Sequence, residues 1–202
     1  HDGVLTAANT DYIAVLSLIG DHGLDTHRSV LIRGSGGMAS AVATAFRDSG
    51  FGTGTIVARN SDTGPALARR LGYEWRPEVG NAEATVIVNV TPIGMADGPG
   101  ERERAFDEQT IAAADTVFDV VALPSETPLV VAARAAGKHV ITGAEVIALQ
   151  AAEQQHSEQH PRDHRQDHLV DQVLREQVLD EEGAAHQRKC EQQESGEDRL
   201  KA

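Results

Sequence analysis

The sequence predicts an α/β fold built on a doubly wound parallel sheet. Short β-branched runs alternate with Ala-rich helical stretches through the middle of the chain. Runs such as Val86-Ile87-Val88 are apolar at every position, which suits strands covered on both sides rather than on one. A third observation is the segment Val30-Leu31-Ile32-Arg33-Gly34-Ser35-Gly36-Gly37-Met38-Ala39, in which an apolar run feeds a glycine-rich turn that opens into a helix. That is how a dinucleotide-binding βα unit of Rossmann type begins.

The expected strands are Ser29–Arg33, Thr55–Ala58, Thr85–Val90, Val117–Val121 and His139–Thr142. The expected helices lie near Ala39–Ser49, Thr63–Leu71, Thr127–Ala136 and Ala144–Gln154. Ahead of them, a mixed stretch favours a helix through Ile19, which Asn9 or Thr10 can cap. After residue 154 the chain turns to Gln, Glu, Asp, His and Arg. Its apolar residues Leu169, Val170, Val173, Leu174, Val178 and Leu179 fall near helical spacing within a stretch of solvated or disordered character. The organisation expected is a connecting helix over 1–24, a dinucleotide-binding domain over 25–154 and a polar low-complexity tail over 155–202. The chain begins with His1, which is read as a truncated amino end.

Bulk properties narrow the function. The 202 residues suit one domain or slightly more. Only 3% are aromatic, so Ala, Val, Leu and Ile must supply the core. A net charge of −13 argues against nucleic acid or an anionic membrane as partner, while leaving room for a local positive pocket. Cys190 is the single cysteine, which excludes an internal disulfide framework and fits a reducing cytoplasm. No apolar run reaches membrane-spanning length. The expected partner is a small molecule, with the chain a monomer or a homodimer.

Within the glycine loop, Gly34 permits the turn and Gly36 lets the backbone approach a pyrophosphate. Ala39 keeps helix and strand close, and the helix N-terminus favours phosphate charge. The next strand ends in Ala58-Arg59-Asn60. An acidic residue there would read a ribose 2′-hydroxyl, whereas Arg59 accommodates a 2′-phosphate and so favours NADP over NAD. Asn89 and Thr91 close another strand on the same side, where they either bond a ribose or nicotinamide or simply form a turn. Asp11 reads locally as part of a helix cap, or as an acid/base partner of a substrate hydroxyl. Gln150 either faces water or presents its amide to a polyol. His156, His160, His164 and His168 are spaced by four, but Pro161 interrupts that face and no metalloenzyme motif surrounds it. No metal site is therefore expected.

Taken together, these segments resemble the shikimate dehydrogenase family, and most of all its shikimate dehydrogenase-like branch. The resemblance rests on Asn9-Thr10-Asp11, Gly34 through Ala39, Ala58-Arg59-Asn60, Asn89 through Met95, Phe118 through Leu129 and Gly143 through Ala151, in that order. It implies an NADP-dependent oxidoreductase that interconverts shikimate and 3-dehydroshikimate in aromatic amino-acid and chorismate biosynthesis. It also implies roles for residues. Asp11 stands at the catalytic, substrate-contacting aspartate and Gln150 at the substrate-binding glutamine. The loop of Gly34, Ser35, Gly36, Gly37, Met38 and Ala39, with Arg59, Asn60, Asn89, Thr91, Met95 and Gly143, is assigned to the cofactor. Ala122 replaces a tyrosine of the main branch, and Val146 replaces a methionine near the nicotinamide. The family's amino-terminal substrate domain, which carries its catalytic lysine, has no counterpart here, so a fragment nearly inactive on its own is expected. The alternatives are a non-catalytic NADP-binding module, or a dehydrogenase for a related polyol acid such as quinate.

Overall fold

The structure is a computed structural model and describes residues 3–159, with side chains described for residues 10–152. The histidine series beyond His156, the apolar residues 169–179 and the tail past residue 159 lie outside the described residues.

The elements run α1 (Gly3–Asp21), β1 (Ser29–Arg33), α2 (Gly37–Asp48), β2 (Thr53–Val57), α3 (Thr63–Leu71) and β3 (Glu74–Arg76). They continue with β4 (Val86–Asn89), α4 (Glu108–Ala113), β5 (Thr116–Asp119), α5 (Pro128–Ala135), β6 (His139–Thr142) and α6 (Gly143–Gln159). The six strands form one sheet in the order β3-β2-β1-β4-β5-β6. Every pairing is parallel. This is the doubly wound arrangement of a Rossmann-type fold, in which the chain leaves β1 in one direction and returns to its other side at β4.

Period-two alternation inside continuous apolar runs fills both faces. Val30, Ile32, Ile56, Val88, Phe118 and Ile141 point to one core, where α1, α2 and α3 cover them through Leu18, Val42, Phe46 and Leu67. Leu31, Val57, Ile87 and Val117 point to the other, closed by Phe106, Ile111, Leu129 and Ala133. The core is less aliphatic than composition implies, because all four phenylalanines are buried. Phe46 sits 5.0 Å from Phe51 and 6.4 Å from Phe118, ring centre to ring centre.

Local chemistry sets the ends. Thr127 caps α5 by accepting from the Val130 amide at 3.1 Å, and Pro128 starts the helix where no N–H is needed. Asp107 caps α4 by accepting from Thr110 N at 2.8 Å. Gly72 ends α3 in the left-handed region at φ 68°.

Four differences from the sequence reading stand out. The helix expected to start at Asn9 or Thr10 starts at Gly3, so these residues lie inside α1 and not at its start. Leu5, Ala7 and Ala8 are good helix formers and carry the helix through them. The edge strand β3 has only three residues, two of them charged, and shows no apolar pattern. It is pinned by Trp75, whose ring N–H donates to the Ala58 carbonyl at 3.1 Å. The six-residue α4 was also not anticipated, and α6 runs to Gln159, five residues beyond its expected end.

Phe118→Ala would open a void in the first core beside the Phe46 ring. A loss of about 3–5 kcal/mol in urea unfolding is expected.

Candidate active site

The site lies at the carboxyl ends of β1, β2 and β4, where strand order reverses. The register aligns Arg33 with Val57 on one side and with Asn89 on the other, so the three loops leave the sheet together. Gly34 begins the first loop at φ +136°, and a Cβ there would lie 2.9 Å from the Val90 carbonyl oxygen and 3.3 Å from the Ala39 Cβ. Only glycine fits both the conformation and the space. Gly36 and Gly37 differ, because a Cβ at either would meet nothing within 4 Å. They border open space at the start of α2, whose N-cap Gly36 offers no side chain to the first-turn amides. Those amides and the helix dipole suit an anion. Ala39 is buried against the loop and Met38 packs partly into the core.

Beside this loop is a cavity of about 1110 Å³ whose walls include Arg33, Ser35, Arg59, Asn60, Thr91 and Glu103. Arg59 is exposed and makes no ion pair among the described residues. Asn60 spends its amide oxygen on the backbone N–H groups of Asp62 and Thr63, at 2.9 and 3.0 Å, leaving its amide NH2 for a ligand. Ser35 shares a hydrogen bond of 2.8 Å with Thr63. Arg33, which the sequence reading passed over, is half-buried and donates to the Ala105 carbonyl. Burial pushes its guanidinium pKa down, the Arg59 charge pushes the same way, and Glu103 opposes both. The available signal was an arginine ending an otherwise apolar strand.

Asn89 is placed differently from a ligand-facing residue. It is fully buried, and its amide nitrogen donates to Asp119 at 2.9 Å and to the Ile93 carbonyl at 3.1 Å. Its amide oxygen accepts from the Thr91 hydroxyl at 2.6 Å and the Thr91 amide at 3.1 Å. It therefore shapes the loop that carries Thr91 into the cavity wall. Asp119 anchors this network. It is completely buried, accepts from Thr127 at 2.6 Å and from the Val121 amide at 3.1 Å, and has its pKa raised by burial against those hydrogen bonds. Neither Asp119 nor Thr127 was singled out as a site residue in the sequence. Met95 is 42% exposed on the same loop. At Gly143, a Cβ would collide with the carbonyls of Val120 and Val121, which ties the start of α6 to the end of β5.

Asp11 and Gln150 are 139 residues apart in the chain, yet the Gln150 amide donates to the Asp11 carboxylate. α1 and α6 are also joined through His22, whose Nε2 lies 2.9 Å from the Glu145 carboxylate. The structure thus brings the two predicted substrate residues into direct contact. Burial raises the Asp11 pKa, opposed by the Gln150 bond.

Two of the sequence comparisons and two of the structural ones carry the same message. The shikimate dehydrogenase-like protein of Haemophilus influenzae is 48% identical over 153 residues, covering 76% of this chain and 56% of that protein. The NADP(+) shikimate dehydrogenase of Oleidesulfovibrio alaskensis is 34% identical over 162 residues, with the same two coverages of 76% and 56%. A solved shikimate 5-dehydrogenase-like protein superimposes with a TM-score of 0.71 at 49% identity, over 72% of this chain and 54% of that one. The chain belongs to the shikimate dehydrogenase family. The quinate dehydrogenase of Corynebacterium glutamicum, solved with NAD, matches with a TM-score of 0.63 at 28% identity, over 71% of this chain and 54% of that one. No protein-family model matches. The chain spans about half the length of the curated shikimate dehydrogenases it matches.

Against the family pattern, Val146 is buried in the first core, so its side chain serves packing in this chain. Ala122 is half-buried just past β5.

Two outcomes are expected. Asp119→Ala leaves Asn89, Thr127 and the Val121 amide without their acceptor, and a loss of about 2–4 kcal/mol in chemical denaturation follows. A raised carboxylate pKa favours the fold most at pH below the unfolded value, and that advantage is lost as pH rises through the raised value. Asp11→Asn should therefore unfold at a higher temperature than the parent at neutral pH, with the gap closing on acidification. Thermal melts across a pH series check this.

Proposed function

We propose that this chain binds NADP and supplies the cofactor half of a dehydrogenase acting on a hydroxyl of a shikimate-like polyol acid. The observation that carries the reading is one cavity lined both by the glycine loop that leads into α2, at Gly34 and Ser35, and by the exposed guanidinium of Arg59 just past β2. In this reading residues 25–154 form the NADP-binding domain and residues 1–24 lead into it from the substrate side. The amides opening α2, with Gly36 and Gly37, hold the pyrophosphate. Arg59, assisted by Asn60, meets the phosphate of the adenosine. Thr91 and Met95 line the path toward the nicotinamide end, and Gly143 keeps α6 close to it.

NADP supplies the hydride acceptor and donor chemistry when bound. The chain's own task is to orient the acid and manage the hydroxyl proton. Gln150 holds Asp11 through its amide, and a substrate hydroxyl entering between them would find both an acceptor and a donor. The raised pKa of Asp11 brings the carboxylate nearer to the range useful for proton transfer. A lysine commonly shares this work with an aspartate, because the carboxylate positions the amine and tunes it. Lys138 is the one lysine among the described residues, and its ammonium is bonded to the Ala112 carbonyl at 2.6 Å. No lysine among the described residues is placed to give this acid–base help of about 10²–10⁴-fold, and weak turnover is part of the proposal. The NAD-bound quinate dehydrogenase among the structural neighbours makes a quinate-type acid the second reading of the substrate.

Isothermal titration of the folded chain should give heat with NADPH and weaker binding of NADH. Arg59→Ala should reduce NADPH affinity by about tenfold or more, with little effect on NADH. Absence of binding by either nucleotide overturns the reading.

A further inference from the structure

The cavity has a second cation that this reading leaves without a task. Arg33 ends β1 directly after Val30, Leu31 and Ile32, at a position where one more apolar residue would extend the core. A guanidinium in that place is costly to bury, and it has five N–H donors. Its hydrogen bond to the Ala105 carbonyl holds one arm. Among the described residues it makes no ion pair. Arg33 pairs in register with Val57, two residues before Arg59, and both guanidinium groups line the same cavity. Each charge opposes the other, and the Arg59 charge lowers the pKa of Arg33.

We propose that Arg33 is a specificity-determining residue, which with Arg59 forms a two-cation pocket for a phosphomonoester at the adenosine end of the dinucleotide. The inference rests on the NADP reading above and deepens it. A phosphomonoester has about −1.5 to −2 charges near neutral pH and three strong acceptor oxygens, so one group satisfies both guanidinium groups and removes their repulsion. An unphosphorylated ribose has no charge to do so. Arg33 is the held member, fastened by its hydrogen bond to Ala105, and Arg59 is the solvent-facing member. Two carboxylates, Glu78 and Glu103, line the same cavity. Glu103 attracts Arg33 electrostatically and therefore competes with the incoming phosphate for it.

The test uses the full chain, with NADPH, NADH, 2′-AMP and 5′-AMP as probes in titration calorimetry, and a thermal melt to confirm folding of each variant. Arg33→Met keeps the length of the stem and removes the charge. About tenfold or greater weakening of NADPH and 2′-AMP is expected, with NADH and 5′-AMP changed by about twofold or less. Glu103→Gln should act in the opposite direction and tighten NADPH and 2′-AMP relative to their unphosphorylated counterparts. Equal weakening of NADPH and NADH by Arg33→Met would assign Arg33 to the adenine or the ribose and overturn the pocket, while NADP binding itself stands. Unchanged affinities in a folded Arg33→Met variant also overturn it. Failure of the parent chain to bind any of the four probes removes the NADP reading and this inference with it.

Discussion

The arrangement depends on one steric constraint, the close passage of the first loop over the end of β4. Gly34 turns at φ +136° with the Val90 carbonyl where a side chain would begin. That contact lets the chain leave β1 and enter α2 almost at once, with the α2 N-terminus at the edge of the sheet. Ala39 closes the same approach from the helix side. A larger residue at either position would push α2 away, and its unsatisfied amides would no longer face the crevice. The parallel register does the rest. Because Arg33, Val57 and Asn89 are level, everything that follows them in the chain emerges on one side.

Electrostatics then sets two guanidinium groups and two carboxylates against one another in one recess of a negatively charged chain. The chain has a net charge of −13, yet Arg33 and Arg59 line one cavity beside the loop that leads into α2, together with Glu78 and Glu103. In the proposed reading such a recess would be selective, because the net negative charge disfavours polyanions of large area, including nucleic acid, while a compact phosphate would meet the guanidinium groups. The buried carboxylate of Asp119 plays a separate role. Its bonds link β4, β5 and the start of α5 through Asn89 and Thr127, so the loop carrying Thr91 is set by a network below the surface. Removing an acceptor from such a network leaves buried donors unpaired, which is why a polar residue out of reach of solvent can matter as much as one in the cavity wall.

The sequence was most legible where a backbone requirement and an apolar pattern coincide. Val30 through Ala39 show the strand, the turn and the helix in ten residues, and α3 and β1 have the bounds that were read from them. Edge elements were illegible. β3 is Glu-Trp-Arg, with no alternation, and it exists through tertiary contacts of Trp75 and Tyr73 that no local window contains. Asn9 and Thr10 looked like caps because cap residues are recognised by type, whereas a helix ignores them when its neighbours favour continuation. Asn89 was visible as a polar residue at a strand end, but its direction was not. Only the structure shows that its amide turns inward to Asp119. Arg33 was quoted within the motif and then overlooked, since a strand-end arginine has no meaning until the neighbouring strand brings Arg59 alongside.

In the proposed reading, the contact between Asp11 and Gln150 bears on how such a site would be ready before substrate arrives. A half-buried carboxylate would ordinarily recruit water or bind a cation, either of which a substrate would have to displace. Here a neutral amide occupies it. An amide can rotate away at the cost of one hydrogen bond and then bond the incoming polyol through the same NH2 group, so little is lost on exchange. The pair also joins α1 to α6, and the His22–Glu145 contact ties α6 to the residue that follows α1. Opening the first contact therefore need not separate the helices. An acid entering between Asp11 and Gln150 would meet donors and acceptors held on two helices that the rest of the domain keeps in place, which is the preorganisation that proton transfer from a specific hydroxyl requires.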